Sequence, residues 1–415
     1  MSLSRHCVLS VYVVLGLLVI ALQLRWMTLT SLNKSKLKQL LGEFESPQST
    51  LPLKHNMSMS CQKLIQGDVD EINRTSILNT KDLHLQKDLH LHIGELRSCS
   101  NYFRSRRFIN HSVRSELDFP IAYSILIFKD FNQFVSLLEA IWRPQNVYCV
   151  HVDGKSSNMF HAAVRRLTSC FTNVFVASRL VRVQWGTFTV LEPELVCMRD
   201  LWMVPTKWRY FINLTGQEFP LKTNYELVEI LQAYNGTNDI FGTSSRANKG
   251  RWRRVLPAPH GITPMKGPVH VIASRDFVDY VLHSHVARDF LHWTNKTKYP
   301  DETFFPSLNN NRHLRVPGHY AGDPETRDRR FLGRYKIWKS YGLPCKGRYV
   351  RLICVLGVGD LAMLTKAAGL FANKFDSSFQ PVAYECMREW YFQKVEREQH
   401  GNLEFDVSLY RRHAA

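Results

Sequence analysis

Two acidic residues behind a proline, Pro300-Asp301-Glu302, are the first candidates for chemistry in this 415-residue chain. A carboxylate set in a cleft can act as a general base, drawing the proton from an attacking hydroxyl. The same residues also suit an ordinary helix start, where acids face the positive end of the dipole, and taken alone they fit that role better. Asp68-Val69-Asp70 is the one D-x-D triplet; it would suit a divalent cation, but it lies in a pattern-poor region and is set aside. Gly357-Val358-Gly359-Asp360 has two glycines of a dinucleotide loop without the third, so no Rossmann-type cofactor is expected. Lys81-Asp82-Leu83-His84-Leu85-Gln86 is echoed by Lys87-Asp88-Leu89-His90-Leu91-His92. Its histidines would share one face of a strand; a solvated stem or edge segment is expected there rather than a metal site. With neither a CxxC pair nor an HExxH motif, no structural zinc site is expected.

The elements that must position these residues begin near Phe119. Ile121–Phe128 is a short apolar run of the kind found in strands buried on both faces. Helical spacing follows over Phe131–Trp142 (Phe134, Leu137, Leu138, Ile141), and Pro144-Gln145-Asn146 breaks it. Val147–Asp153 reads as a second strand, Met159–Leu167 as a helix, Val174–Ala177 as a third strand, Glu192–Leu201 as a helix and Tyr210–Leu214 as a fourth strand. Strand and helix alternating at this spacing predict an α/β fold with a mainly parallel central sheet. Ligands of such sheets sit at the carboxyl ends of strands, where Asp153 and Thr215-Gly216-Gln217 fall.

Upstream, Cys7–Leu24 is an uncharged apolar stretch of 18 residues. That is just enough for a bilayer, which needs roughly 20, and longer than the apolar core of about 7–15 residues in a cleavable leader. The exit, Ala21-Leu22-Gln23-Leu24-Arg25-Trp26, is a poor cleavage site, so an uncleaved anchor is expected. Seven N-x-S/T sequons follow, at Asn33, Asn56, Asn73, Asn110, Asn213, Asn235 and Asn295, which lean towards a lumenal chain. Asn213 ends a buried strand and is expected to stay unmodified. Outside the span remain eight cysteines, Cys61, Cys99, Cys149, Cys170, Cys197, Cys345, Cys354 and Cys386, an even number that suits an oxidising compartment. The expected organisation is a cytosolic tail (1–6), a transmembrane signal anchor (7–24), a lumenal stem and lead-in (25–115) and a catalytic domain (116–415). The formal net charge of +18 prompts a nucleic-acid or heparin reading. A lumenal chain meets no nucleic acid, which leaves attraction to acidic glycans or a membrane surface as a secondary effect.

Five blocks change the weight of these readings: Gln145–Asp153, Gly216–Asn224, Pro300-Asp301-Glu302, Gly357–Leu361 and Leu370–Asp376. In this order, from about residue 118 to 390 and behind an anchor and stem, the sequence resembles the core-2 and I-branching β-1,6-N-acetylglucosaminyltransferases. The resemblance implies a GT-A-like nucleotide-sugar fold in a single-pass type II Golgi membrane protein with a lumenal catalytic domain. It implies inverting transfer of GlcNAc from UDP-GlcNAc to a 6-hydroxyl of a galactose- or GalNAc-containing O-glycan on glycoproteins. It pairs the cysteines as Cys61–Cys386, Cys99–Cys170, Cys149–Cys197 and Cys345–Cys354; four pairs permit 105 connectivities, and spacing does not choose among them. It makes Glu302 the general base and puts Leu126, Asp153 and Trp185 near the uracil and ribose. Arg351 and Lys374 become a basic pair that neutralises the departing diphosphate, so no metal or other cofactor is expected. Arg251 and Trp338 match acceptor-side positions.

The acceptor side also departs from the family. An acidic acceptor-contacting residue is replaced by Phe241 or a neighbour, Ser340 stands two residues past Trp338 where the family has a tyrosine, Thr215 replaces a free cysteine, and Lys266-Gly267-Pro268-Val269-His270 is unlike the usual pattern. Core 1, core 3, polylactosamine or another acceptor therefore stay open, as do transfer of another sugar such as xylose and an inactive glycan-binding relative. Retention of Glu302, Arg351 and Lys374 together speaks for an enzyme.

Overall fold

The computed structural model describes residues 59–77, 89–326 and 331–414. The apolar stretch 7–24 and the sequons Asn33 and Asn56 lie outside them, as do residues 78–88 with most of the repeated segment. Among the described residues no helix is long and apolar enough to cross a membrane.

A five-stranded sheet in the order β3-β2-β1-β4-β6 forms the centre: β1 Ile121–Ile127, β2 Val147–Val152, β3 Val174–Val176, β4 Tyr210–Thr215 and β6 Ile272–Ser274. The first four strands are parallel, with Ile125 of β1 opposite Val150 of β2 and Leu214 of β4. The edge strand β6 runs antiparallel to β4, which the apolar pattern did not announce. The uninterrupted runs reflect burial on both sides. Ile121, Tyr123 and Ile125 face one core with Tyr148 and Val150, whereas Ala122, Val147, Cys149 and Phe211 face the other. Helices Phe131–Ile141, Asn158–Thr168 and Asn224–Tyr234 cover the first face; Glu192–Met203, Arg275–His283 and His285–Thr294 cover the second. Their starts are set by side chains that accept from backbone amides three residues on: Asp130 to Gln133, Ser157 to Phe160, and Thr223 to Glu226 in a capping box.

A second sheet, in the order β5-β10-β7, stands beside the first, with β5 Glu218–Pro220, β10 Phe371–Asn373 and β7 Arg334–Tyr335. A hairpin of β8 Arg348–Val350 and β9 Ile353–Val355 completes the strands. A third apolar cluster joins the second sheet to the long helix Pro381–Gln399 through Phe219, Ala372, Tyr384 and Tyr391.

Residues 58–415 form one compact unit. The described part of the expected stem and lead-in therefore belongs to it and carries the short helices Cys61–Gln66, Val69–Ser76, Leu89–Glu95 and Cys99–Arg104. They are too short for a periodic signal, and their order comes from caps at Ser60, Asp68 and Ser98 and from disulfides. The repeat's end is a correction: His90 and His92 lie on a helix, not a strand, and His92 is fully buried with Nε2 2.5 Å from Asn132 Oδ1. Four disulfides link Cys61–Cys386, Cys99–Cys170, Cys149–Cys197 and Cys345–Cys354.

Two outcomes follow from this packing. Replacing Cys149 and Cys197 together by alanine removes the tie between β2 and its covering helix and should cost about 2–4 kcal/mol in chemical denaturation. Glycopeptide mass spectrometry should find Asn213 bare, because its amide is buried and bonded to Glu194, Val269 and Val271, whereas Asn73, Asn110, Asn235 and Asn295 are exposed.

Candidate active site

The chain runs β1, β2, β3 outward and then returns to the other side of β1 as β4. Where strand order reverses in this way, the loops at the carboxyl ends part and leave a crevice. A cavity of about 280 Å³ lies there. Leu126, the last residue but one of β1, is on its wall, Asp153 follows β2, and Thr215-Gly216-Gln217 leads from β4 into the second sheet, which adds Asn373 and Lys336. Asp153 is held in place, its Oδ1 accepting from the amides of Lys155 at 2.8 Å and Val183 at 3.3 Å.

Glu302 closes a single 3-10 turn, Pro300–Glu302. Its amide donates to Tyr299 and its carbonyl accepts from Gly267 at 2.9 Å. Gly267 permits that approach, since a Cβ there would lie 2.0 Å from the Phe241 carbonyl. Glu302 Oε2 receives Arg251 at 2.6 Å, and the Arg251 guanidinium also lies over the Tyr299 ring at 4.6 Å. Tyr299 is backed by Trp185 at 5.0 Å, and Arg351 stands 5.8 Å from the Trp185 ring. One continuous set of contacts thus brings together Glu302, Arg251, Trp185 and Arg351, which the sequence spreads over 167 residues, from 185 to 351. Trp185 is 71% exposed and stands outside the cavity lining, where Leu126 and Asp153 are found. Beside Glu302, burial and then the Glu302 charge push the Asp301 carboxyl up to about 7.

Arg351 and Leu352 form the two-residue turn of the β8–β9 hairpin, both at positive φ, 49° and 72°. Such a turn normally takes Asn or Gly, so non-glycine residues here carry backbone strain at a site residue. The Cys345–Cys354 bridge holds the base of the hairpin. Lys374 follows β10; burial first, then the Lys129, Arg351 and Arg348 charges, depresses its ammonium, and Asp376 offsets part of this. Trp338 is half-buried, with the Lys336 ammonium 5.7 Å from its ring.

The remaining motifs have structural roles. Asp68 caps the helix Val69–Ser76 by accepting from Glu71. Asp360 accepts from the amides of Gly357 and Lys346, both at 2.9 Å, so Gly357–Asp360 is a buried turn beside the disulfide-closed loop. Among the described residues no three His, Cys, Asp or Glu side chains are grouped to hold a metal ion.

Sequence reasoning passed over the polar floor beneath these groups. Glu218 is fully buried; its Oε2 accepts from Arg334 at 2.9 Å, and its Oε1 accepts from Asn373 at 2.8 Å and faces His270 Nδ1 at 3.4 Å. Arg334 also donates to the Asn213 carbonyl of β4. Glu218 and Asn373 belong to two of the recognised blocks, but nothing in their spacing says that they meet. Lys336, between Arg334 and Trp338, carried no signal.

A mainly parallel central sheet with a cavity at its strand ends fits a GT-A-like fold. The Core-2/I-Branching enzyme family model matches residues 121–365, and the chain belongs to that family. A Homo sapiens relative named beta-1,3-galactosyl-O-glycosyl-glycoprotein beta-1,6-N-acetylglucosaminyltransferase 3 is 33% identical over 372 residues, covering 82% of this chain and 84% of the relative. A Danio rerio relative with the same name and the number 4 is 35% identical, covering 80% and 85%. The N-acetyllactosaminide beta-1,6-N-acetylglucosaminyl-transferase of Mus musculus is 37% identical over 323 residues, covering 72% and 79%.

Glu218→Gln would leave the Arg334 guanidinium buried without a counter-charge. We expect a loss of about 3–5 kcal/mol, read as a lower denaturation midpoint, with soluble protein obtained only in reduced yield.

Proposed function

We propose that this protein transfers GlcNAc from UDP-GlcNAc to a 6-hydroxyl of a galactose- or GalNAc-containing O-glycan, forming a β-1,6 branch with inversion and without a metal ion. The observation that carries the reading is the contact of Arg251 with Glu302 Oε2 at 2.6 Å. It holds the carboxylate in a fixed direction at the cavity rim, and no hydrogen bond occupies Oε1 among the described residues. The three relatives' printed names supply the donor sugar and the linkage.

The reaction is one displacement. Glu302 Oε1 accepts the proton of the acceptor 6-hydroxyl as that oxygen bonds to the anomeric carbon. The bond from the anomeric carbon to the β-phosphate oxygen breaks on the opposite side, and UDP leaves with the electron pair. Arg351 and Lys374 neutralise the diphosphate as its charge grows, the task a divalent ion performs elsewhere. The partial burial of Lys374 supports this role, because a partly desolvated cation acts more strongly than a fully solvated one. Leu126 and Asp153 bound the nucleoside end of the cavity, and Trp185 closes over it from the rim. Arg251 and Trp338 face the acceptor. The protein is anchored in the Golgi membrane by residues 7–24, with the catalytic part in the lumen, where UDP-sugars and glycoproteins meet.

Glu302→Gln keeps the shape of the side chain and loses its basicity. UDP affinity by calorimetry should stay within about twofold, while turnover falls about 10²–10⁴-fold. Arg351→Ala and Lys374→Ala should each weaken UDP binding and turnover together. EDTA should leave wild-type turnover unchanged; if EDTA abolishes activity and Mn²⁺ restores it, the assignment of the cations fails and Asp153 becomes a metal ligand. Screening core 1, core 3 and polylactosamine acceptors with the lumenal fragment identifies the acceptor.

A further inference from the structure

The charges around the floor of the cavity do not balance. Glu218 is matched by Arg334, and Glu302 by Arg251. His270, 1% exposed, stays neutral, because burial and the nearby Lys336 and Arg334 charges hold its imidazole well below the usual range. Lys336 is left without an acid bonded to it. It lines the cavity with Asn373, Gln217 and His270. Across the second sheet, Asn373 lies opposite Glu218, and Lys336 follows Tyr335, which pairs with Ala372. Its ammonium makes no hydrogen bond and no ion pair among the described residues, and its nearest recorded ring is Trp338 at 5.7 Å. Lys336 is partly buried, and a cation at a cavity wall with no acid bonded to it attracts an arriving anion.

We propose that Lys336 is a third cation of the donor site, its ammonium binding the diphosphate of the nucleotide sugar from the cavity floor together with Arg351 and Lys374. The inference rests on the UDP-sugar reading above. The groups whose charges bear on Lys336 are Glu218 on β5, Arg334 on β7, Glu302 at the rim and Lys374 after β10. Burial lowers its ammonium from the ordinary lysine range to about 8. An anion arriving beside it raises that value again, so UDP binding above pH 8 must recharge the amine. Affinity is then full below pH 8 and declines as pH rises through it.

Calorimetry on the full-length protein in detergent, titrated with UDP and with uridine, tests this. Lys336→Met should weaken UDP binding about tenfold to a hundredfold, leave uridine binding unchanged and not lower the melting temperature, since an unpaired charge has been removed. Wild-type UDP affinity should fall between pH 7 and pH 9 with a step near pH 8 that the variant lacks. Unchanged UDP affinity in the variant overturns the proposal, and so does an equal loss for UDP and uridine. A wild-type UDP affinity with no step near pH 8 overturns it even if the variant fails to fold. If the wild type binds no UDP at all, the donor reading falls as well, which separates the two failures.

Discussion

The buried pairing of Glu218 with Arg334 is the constraint on which the site depends. Both side chains are withdrawn from water, so each must satisfy the other, and they do so at 2.9 Å. Arg334 reaches on to the Asn213 carbonyl in the central sheet, and Glu218 accepts from Asn373 in β10. Two sheets that share no strand are thereby locked in register. Three residues that line the cavity are tied to this lock: Gln217 precedes Glu218, Lys336 lies two residues past Arg334, and Asn373 donates to Glu218.

The two groups of candidate residues are held differently. Strand ends supply Leu126 and Asp153, and a disulfide-closed hairpin presents Arg351 from a strained turn. These positions are set by backbone geometry and change little with neighbouring side chains. By contrast, Glu302, Arg251, Tyr299 and Trp185 are joined by side-chain contacts: a charged hydrogen bond, a cation over a ring and two rings packed edge to face. Phe241 is covered by the Arg246 guanidinium at 5.6 Å.

The disulfides distribute stability towards the same region. Cys61–Cys386 and Cys99–Cys170 fasten the short N-terminal helices to the core across long loops, where cross-linking restricts the unfolded chain most. The short loop of Cys345–Cys354 gains less in that way; its place at the base of the Arg351 hairpin gives it a local, positioning part.

The sequence by itself determined the α/β alternation, the four parallel strands and the flanking helices, because strands buried on both faces must be apolar throughout and helices on one face must be periodic. Through its resemblance to a family it also singled out Glu302, Arg351 and Lys374, and the disulfide connectivity it carried over is the one the structure has. Periodicity was silent about the antiparallel edge strand, the helices between Cys61 and Arg104 and the second sheet, whose elements are too short to repeat a pattern. Only the tertiary structure decided that Arg251 meets Glu302, that Trp185 stands at the rim outside the cavity lining, and that His92 is buried. It alone revealed Glu218, Arg334, His270 and Lys336 as one polar floor. A buried polar group is defined by what surrounds it, and those surroundings come from segments up to 155 residues apart, as with Glu218 and Asn373.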